Sequence, residues 1–246
     1  MDHGGITFSH VRKEYPDGTV AVEDLTLEVR PGEIMCLVGP SGCGKSTTLR
    51  MVNRLVEPTS GTITVDGADV MSQPAVELRR SIGYVIQHVG LLPHRRVADN
   101  VATVPSLMKW PKERTAARVD ELLSLVGLEP DVHGVRYPHE LSGGQRQRVG
   151  VARALAAEPP VMLMDEPFGA VDPQGRRRLQ QEFMQLQRQL GLTVVMVTHD
   201  MREAALMADR VAVFSTGGVL EQLGSAEEVS ESPANEFVAD FVSDFS

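Results

Sequence analysis

The chain of 246 residues has no long hydrophobic run. Its apolar stretches reach about five to seven residues, far short of the roughly 20 that a membrane-spanning helix needs. The start, Met1-Asp2-His3-Gly4-Gly5, has neither a basic region nor an apolar core, so no secretory leader is expected. Cysteine is scarce. Cys36 and Cys43 alone exclude a disulfide framework and point to reduced thiols in a cytosolic protein. Positive charge is also in deficit, and a net charge of −9 argues against a nucleic-acid partner. Beyond Arg210 there is no Lys or Arg, whereas Glu221, Glu227, Glu228, Glu231, Glu236, Asp240 and Asp244 supply −7 of that −9. This acidic end reads as a solvated face without a catalytic role. Within it Phe237, Val238, Phe241, Val242 and Phe245 recur at helical spacing and predict a short amphipathic helix that docks on the core. Internal repeats and low-complexity linkers are absent too.

What is present fits an α/β protein. Hydrophobic content is an ordinary 42%, and the length allows one large α/β domain or two small ones. Early β-branched runs, Ile6-Thr7-Phe8, Val20-Ala21-Val22, Leu25 to Val29 and Thr62 to Val65, are separated by turn signals such as Pro16-Asp17-Gly18 and Asp66-Gly67. From Glu113 to Leu125 the period becomes helical, with Val119, Leu122, Leu123 and Val126 on one face. Val161–Met164, Thr193–Val197 and Val211–Phe214 read as buried, parallel strands. Between the first two, a helix is expected to turn Leu179, Phe183, Leu186 and Leu190 inward. In such a sheet the ligand sits at the carboxyl ends of the strands.

One segment carries the strongest chemical signal. Gly39-Pro40-Ser41-Gly42-Cys43-Gly44-Lys45-Ser46-Thr47 matches the phosphate-cradling pattern GxxxxGK[ST]. It follows the apolar strand Ile34–Val38 and precedes the helical Thr48–Val52, the context in which backbone amides wrap phosphates at a helix N-terminus. Lys45 is then expected on the β- and γ-phosphates and the Ser46 hydroxyl on Mg²⁺. Cys43, inside the loop, is expected to favour the thiolate and to react with a bulky maleimide unless MgATP protects it. A second signal closes the buried strand as Met164-Asp165-Glu166-Pro167. Adjacent carboxylates at a strand end are costly unless a cation or a reacting water uses them. Asp165 is expected to hold Mg²⁺ through its water shell and Glu166 to polarise the attacking water.

The third signal, Leu141-Ser142-Gly143-Gly144-Gln145-Arg146-Gln147, opens another helix. Ser142 is a natural N-cap, and the glycines are expected to leave the first amides bare as an anion site. With this segment the chain resembles the ATP-binding-cassette (ABC) family over residues 6 to 240. The resemblance implies a P-loop NTPase (RecA-like) core with an antiparallel β-subdomain and an inserted helical subdomain. On that basis residues 1–86 and 157–225 form the core, 87–156 the helical insertion and 226–246 an acidic tail, all within one nucleotide-binding domain 1–246. It also places Tyr15 as adenine-stacking aromatic, Gln87 as a glutamine serving nucleotide and metal, Asp172, in the segment after Glu166, as a further nucleotide-site residue, and His199 as γ-phosphate sensor. That segment reads Gly169-Ala170-Val171-Asp172 where Ser-Ala-Leu-Asp is commoner. His88, His94, His133 and His139 show no ligand-like clustering.

The resemblance further implies that two copies sandwich two ATP molecules, each between one P-loop and the opposite Ser142–Gln145. It places the subunit in the cytoplasm, peripheral on the inner face of the cell membrane, beside transmembrane permease subunits fed by an extracytoplasmic binding protein. Finer resemblances in Ile82–Gln87, Val104–Lys112 and Pro233–Val238 are to the quaternary-amine (glycine betaine, carnitine, choline) uptake ATPases. No paired regulatory CBS domains are expected. The alternatives are an importer ATPase for another small solute or a soluble ABC ATPase outside transport. The stretch His88–His94 followed by Val97–Val101, similar to the importer groove for a permease helix, favours an importer.

Overall fold

The computed structural model describes residues 4–87, 89–169, 171 and 173–243, the side chain of residue 174 excepted. Among these described residues ten strands are formed: β1 (Ile6–Glu14), β2 (Val20–Val29), β3 (Ile34–Val38), β4 (Ser60–Val65), β5 (Ala68–Asp69), β6 (Ile82–Val85), β7 (Val161–Asp165), β8 (Thr193–Val197), β9 (Arg210–Ser215) and β10 (Val219–Gly224). They make two sheets: a four-stranded antiparallel sheet in the order β2-β1-β4-β5, and a six-stranded sheet in the order β10-β9-β3-β8-β7-β6. In the larger sheet every pairing from β9 to β6 is parallel, and β10 closes the edge antiparallel to β9.

The side-chain period of two divides the apolar residues between two cores. Along β3, Ile34, Cys36 and Val38 enter one core while Met35 and Leu37 enter the other. The same alternation runs through β7, with Met162 and Met164 against Val161 and Leu163, and through β8, with Val194 and Met196 against Val195 and Val197. β3, β7 and β8 are buried at every position, as strands covered on both faces must be. The antiparallel sheet and helix α1 (Lys45–Val52) cover one face. A short α2 (Ala75–Ser81) then leads into β6. The other face receives helices from the insertion, α3 (Val97–Val101), α5 (Lys112–Leu125) and α7 (Gly143–Leu155), while α4 (Thr103–Leu107) and α6 (Pro130–His133) pack on α3 and α5. α8 (Pro173–Leu190) and α9 (Met201–Met207) complete that layer, and α10 (Ala226–Glu231) and α11 (Glu236–Ser243) end the described chain.

Several expectations need correction. Val20–Val22 and Leu25–Val29 are one continuous strand, its register to β1 shifted by bulges rather than broken by a turn. Leu179, Phe183 and Leu186 are buried, but Leu190 is 44% exposed because α8 ends there and Gly191 turns the chain into β8. The edge strand β10 and helix α2 have too little periodicity to have been anticipated. In α11 Val238 is fully buried and Phe237, Phe241 and Val242 pack half-buried on the main core. Phe245 lies outside the described residues.

Candidate nucleotide site

The loop after β3 is shaped by backbone that tolerates no side chain. Gly39 has φ 143°, and a Cβ there would stand 2.2 Å from the Phe214 carbonyl oxygen. Gly44 has φ 102° and would bring its Cβ to 2.1 Å from the Ala21 carbonyl oxygen. Both glycines are required by close backbone approach as well as by the left-handed region. The loop then turns into α1, whose N-cap position Gly44 offers no side chain to its first amides. Beside it lies a cavity of about 360 Å³ lined by Tyr15, Thr19, Val20, Ala21, Ser41, Gly42, Gly44, Lys45, Ser46, Thr47 and Glu166. The Lys45 ammonium, 6% exposed, donates to the carbonyls of Gly39 and Pro40 at 2.7 Å each. The Tyr15 hydroxyl stands 3.3 Å from the Thr47 hydroxyl, and the Lys13 ammonium lies 5.1 Å above the Tyr15 ring. Cys43 departs from expectation: its thiol is 1% exposed and packed in the core with Leu37 and Leu49. Maleimide labelling of the native loop is therefore not expected, and the residue's contribution to the cradle is its backbone.

Residues distant in sequence converge at the rim because β3, β7 and β8 all end on the same side of the sheet. The Ser46 hydroxyl donates to Asp165 Oδ1 at 2.8 Å, and Arg50 Nη2 donates to Asp165 Oδ2 at 3.2 Å. Burial raises the nearby Tyr84 phenol above its ordinary value, with the Arg50 guanidinium opposing. Glu166 has φ 45°, a strained backbone for a residue with a Cβ, held by its amide on the Val197 carbonyl at 3.0 Å. Its two carboxylate oxygens face different partners. Gln87 Nε2 donates to Oε2 at 2.8 Å, and His199 Nδ1 stands 3.4 Å from Oε1. Behind His199 the Thr198 hydroxyl donates to Glu203, which also accepts from Gln180 of α8 at 2.7 Å. Burial raises the Glu203 carboxyl, opposed by those two hydrogen bonds.

Among the described residues no group of three or more His, Cys, Asp or Glu is poised to bind a metal. A cation at Ser46 and Asp165 would draw on one hydroxyl, one carboxylate and oxygens brought by water or phosphate. That donor set suits Mg²⁺, which keeps several waters and few protein ligands. Gln87, expected on the metal as well as the nucleotide, has its amide nitrogen on Glu166.

The Ser142 segment stands apart from this cluster, and none of Ser142–Gln145 lines the cavity. Ser142 caps α7 reciprocally: its hydroxyl accepts from the Gln145 amide at 3.2 Å while Gln145 Oε1 accepts from the Ser142 amide at 2.9 Å. The Gln145 amide is thus occupied, which narrows the expected run of bare amides. Gln145 Nε2 also lies 3.3 Å from His133 Nε2. Asp172 lies outside the described residues. Arg50, Tyr84, Glu203 and His133 were not anticipated from sequence. For Arg50 a signal existed, since it follows Ser46 by four residues and shares its helix face.

The family described as ABC transporter matches residues 22–169. The chain is 53% identical over 237 residues to the glycine betaine/carnitine/choline transport ATP-binding protein OpuCA of Bacillus subtilis, covering 96% of this chain and 62% of that protein. It is 52% identical to the choline transport ATP-binding protein OpuBA of the same organism, again over 96% and 62%. It is also 52% identical to the glycine betaine uptake system ATP-binding protein YehX of Escherichia coli, over 96% and 76%. The chain thus spans only 62% of the length of the first two relatives. Among solved structures, cbiO1 from Clostridium perfringens superposes with a TM-score of 0.85 at 31% identity, covering 93% of this chain and 91% of that one. The ATP-binding cassette MJ0796, in a dimeric post-hydrolysis state bound to ADP and Pi, superposes with a TM-score of 0.79 at 33% identity, over 90% and 98%.

Proposed function

Because the chain belongs to the ABC transporter family, we propose that it binds and hydrolyses ATP to drive uptake of a quaternary-amine osmoprotectant through separate membrane subunits. One observation carries the ATPase reading. The phosphate loop, the Ser46–Asp165 pair and a Glu166 carboxylate held between Gln87 and His199 meet at one cavity rim. Tyr15 stacks the adenine, and the amides of Gly39–Thr47 with Lys45 hold the phosphates. Lys45 exchanges its two carbonyl partners for phosphate oxygens, a substitution of stronger, charge-assisted bonds for neutral ones. Ser46 and Asp165 hold Mg²⁺, which when bound neutralises charge on the phosphates. Glu166 accepts the proton of the attacking water, with Gln87 and His199 fixing its two oxygens. Hydrolysis in this reading rests on positioning and electrostatic stabilisation rather than on covalent chemistry.

The second half of each site is supplied by another copy, whose Ser142–Gln145 segment covers the phosphates; Asp172 joins it there. That the cavity is lined by no residue of this segment supports the reading, as does the dimeric state of MJ0796. No helix among the described residues is long and apolar enough to cross a membrane. In this reading translocation runs through permease subunits, which we place over this chain at the inner face of the membrane, fed by an extracytoplasmic binding protein. The names of the relatives support glycine betaine, carnitine or choline as the solute. The test is uptake of radiolabelled betaine, choline and carnitine at high salt in cells with and without the chain, beside a glutamine control. Loss of uptake of one or more of the three is expected. Unchanged uptake of all three on deletion overturns the solute and leaves the ATPase to be judged by phosphate release.

A further inference from the structure

The segment that follows Gln87 is gripped by the far end of α7. Arg153 Nη1 donates to the Gly90 carbonyl at 2.6 Å and Nη2 to the Val89 carbonyl at 2.5 Å. One guanidinium thus binds two consecutive backbone oxygens, using the fixed fork geometry that lysine lacks. The backbone it holds is an unusual one. Val89 has φ 56°, a region that a β-branched side chain rarely enters, and its side chain is 7% exposed. Three residues before Arg153, on the same face of α7, Gly150 receives that side chain: a Cβ at Gly150 would stand 2.7 Å from Val89 Cγ1. A strained residue persists only where its surroundings over-determine it, and here a fork and a fitted hollow do so together. Another turn back on the same face is Gln147, fully buried with neither amide atom hydrogen-bonded, so among the described residues the side-chain hydrogen bonds from this face to the loop come from Arg153. Two residues upstream of Val89, Gln87 donates to Glu166.

We propose that Arg153 is a positioning residue for Gln87: by clamping Val89 and Gly90 onto α7, it fixes the amide that orients the Glu166 carboxylate. Glu166 is then tied through Gln87 to the same helix whose other end begins with Ser142. The clamp rests on the ATPase reading above for its consequence, but its structural half is independent of it. Arg153 touches neither the P-loop cavity nor Glu166, so its loss removes orientation and leaves the phosphate cradle intact.

The experiment compares Arg153→Met, Arg153→Lys, Gly150→Ala and Gly150→Ala/Val89→Ala with the unsubstituted chain. Three quantities are read: kcat and KM for ATP, the affinity for a fluorescent ATP analogue, and amide hydrogen exchange across residues 86–92. Arg153→Met is expected to lower kcat by about 10- to 100-fold, the scale of a misplaced catalytic group, with analogue affinity held within about twofold. Exchange in 86–92 should quicken by about tenfold while the strands of the large sheet are unchanged, as local opening demands. Arg153→Lys, able to hold one carbonyl, should fall between. Gly150→Ala should reproduce the loss, and Val89→Ala added to it should recover most of kcat by vacating the hollow. Arg153→Met with kcat within about twofold, or with unchanged exchange in 86–92, overturns the proposal. So does a parallel loss of kcat, analogue affinity and protection throughout the chain, which marks a merely structural residue. If the unsubstituted chain shows no ATPase activity, the functional reading falls, and the exchange comparison still decides the clamp.

Discussion

Helices α1 and α7, both assigned to the nucleotide phosphates in the reading proposed above, finish their N-termini in opposite ways. At α1 the cap position is Gly44, no side chain reaches the first amides, and the Ala21 carbonyl closes around the loop so tightly that none would fit. A buried ammonium, Lys45, stands beside it. At α7 the cap is Ser142, and a reciprocal box with Gln145 occupies the Ser142 and Gln145 amides from within the same turn. The first N-terminus is left open for phosphate by its own fold, with a cation already in place. The second is stable as it stands and brings no residue to the cavity of its own chain. In the proposed reading, this difference accounts for one helix end forming a nucleotide site within a single copy and the other serving a site that a second copy completes.

The largest expected effect breaks the α1 side. Glu166→Gln should lower phosphate release by about 10²- to 10⁴-fold while a fluorescent nucleotide still binds, the span of lost general-base catalysis. Lys45→Ala should instead weaken the nucleotide titration itself, since the ammonium is part of the cradle. Next in size is a glycine pair that sharpens the contrast. Gly44→Ala places a Cβ in the left-handed region against backbone 2.1 Å away, and should cost more than about 2 kcal/mol in urea unfolding. Gly144→Ala meets nothing nearer than Val171 Cγ1 at 3.8 Å, and inside a helix it should raise stability by about 0.5–1 kcal/mol. Equal effects at the two positions would erase the distinction between the helix ends.

Smaller still is Ser142→Ala, which removes the cap and should cost about 1 kcal/mol by thermal or urea unfolding. The smallest effect concerns the loop that bears His199. Burial raises the Glu203 carboxyl above its ordinary 4.5, with Thr198, Gln180 and Arg176 opposing and Asp200 adding to the rise. The native state then holds that proton more tightly than the unfolded chain does. The stabilisation is fully present below 4.5 and is lost as pH rises through the native value. Glu203→Gln should flatten the fall of stability across that window, and an unchanged slope would remove Glu203 as its source.

The parts of the site legible from the residues themselves were those carried by contiguous stretches, whereas Tyr15, Gln87 and His199 were placed by the family resemblance. Gly39–Thr47, Asp165-Glu166 and Leu141–Gln145 each form a local pattern whose chemistry follows from spacing, and Ile34–Val38 and Thr193–Val197 read as buried strands because both faces are apolar. What stayed hidden depends on which strand lies beside which. The Ser46–Asp165 bond spans 119 positions and Gln87–Glu166 spans 79, so neither partner announces the other. Cys43 misled for a related reason: a thiol at a helix N-terminus suggests reactivity, but its neighbours in space are core residues of the sheet. Ser142 and Gln145 misled in a different way, since the side chains that mark the segment also occupy one of its amides.

The central claim is that the open end of α1 in one copy and the capped end of α7 in another enclose the same nucleotide. Sedimentation of the Glu166→Gln chain with and without MgATP tests it most directly. The account predicts a single species at the mass of one chain, 26.8 kDa, without nucleotide, a species of twice that mass with MgATP, and no such shift once Ser142 is also replaced by a bulky residue. A chain that binds MgATP and still sediments at 26.8 kDa would contradict it.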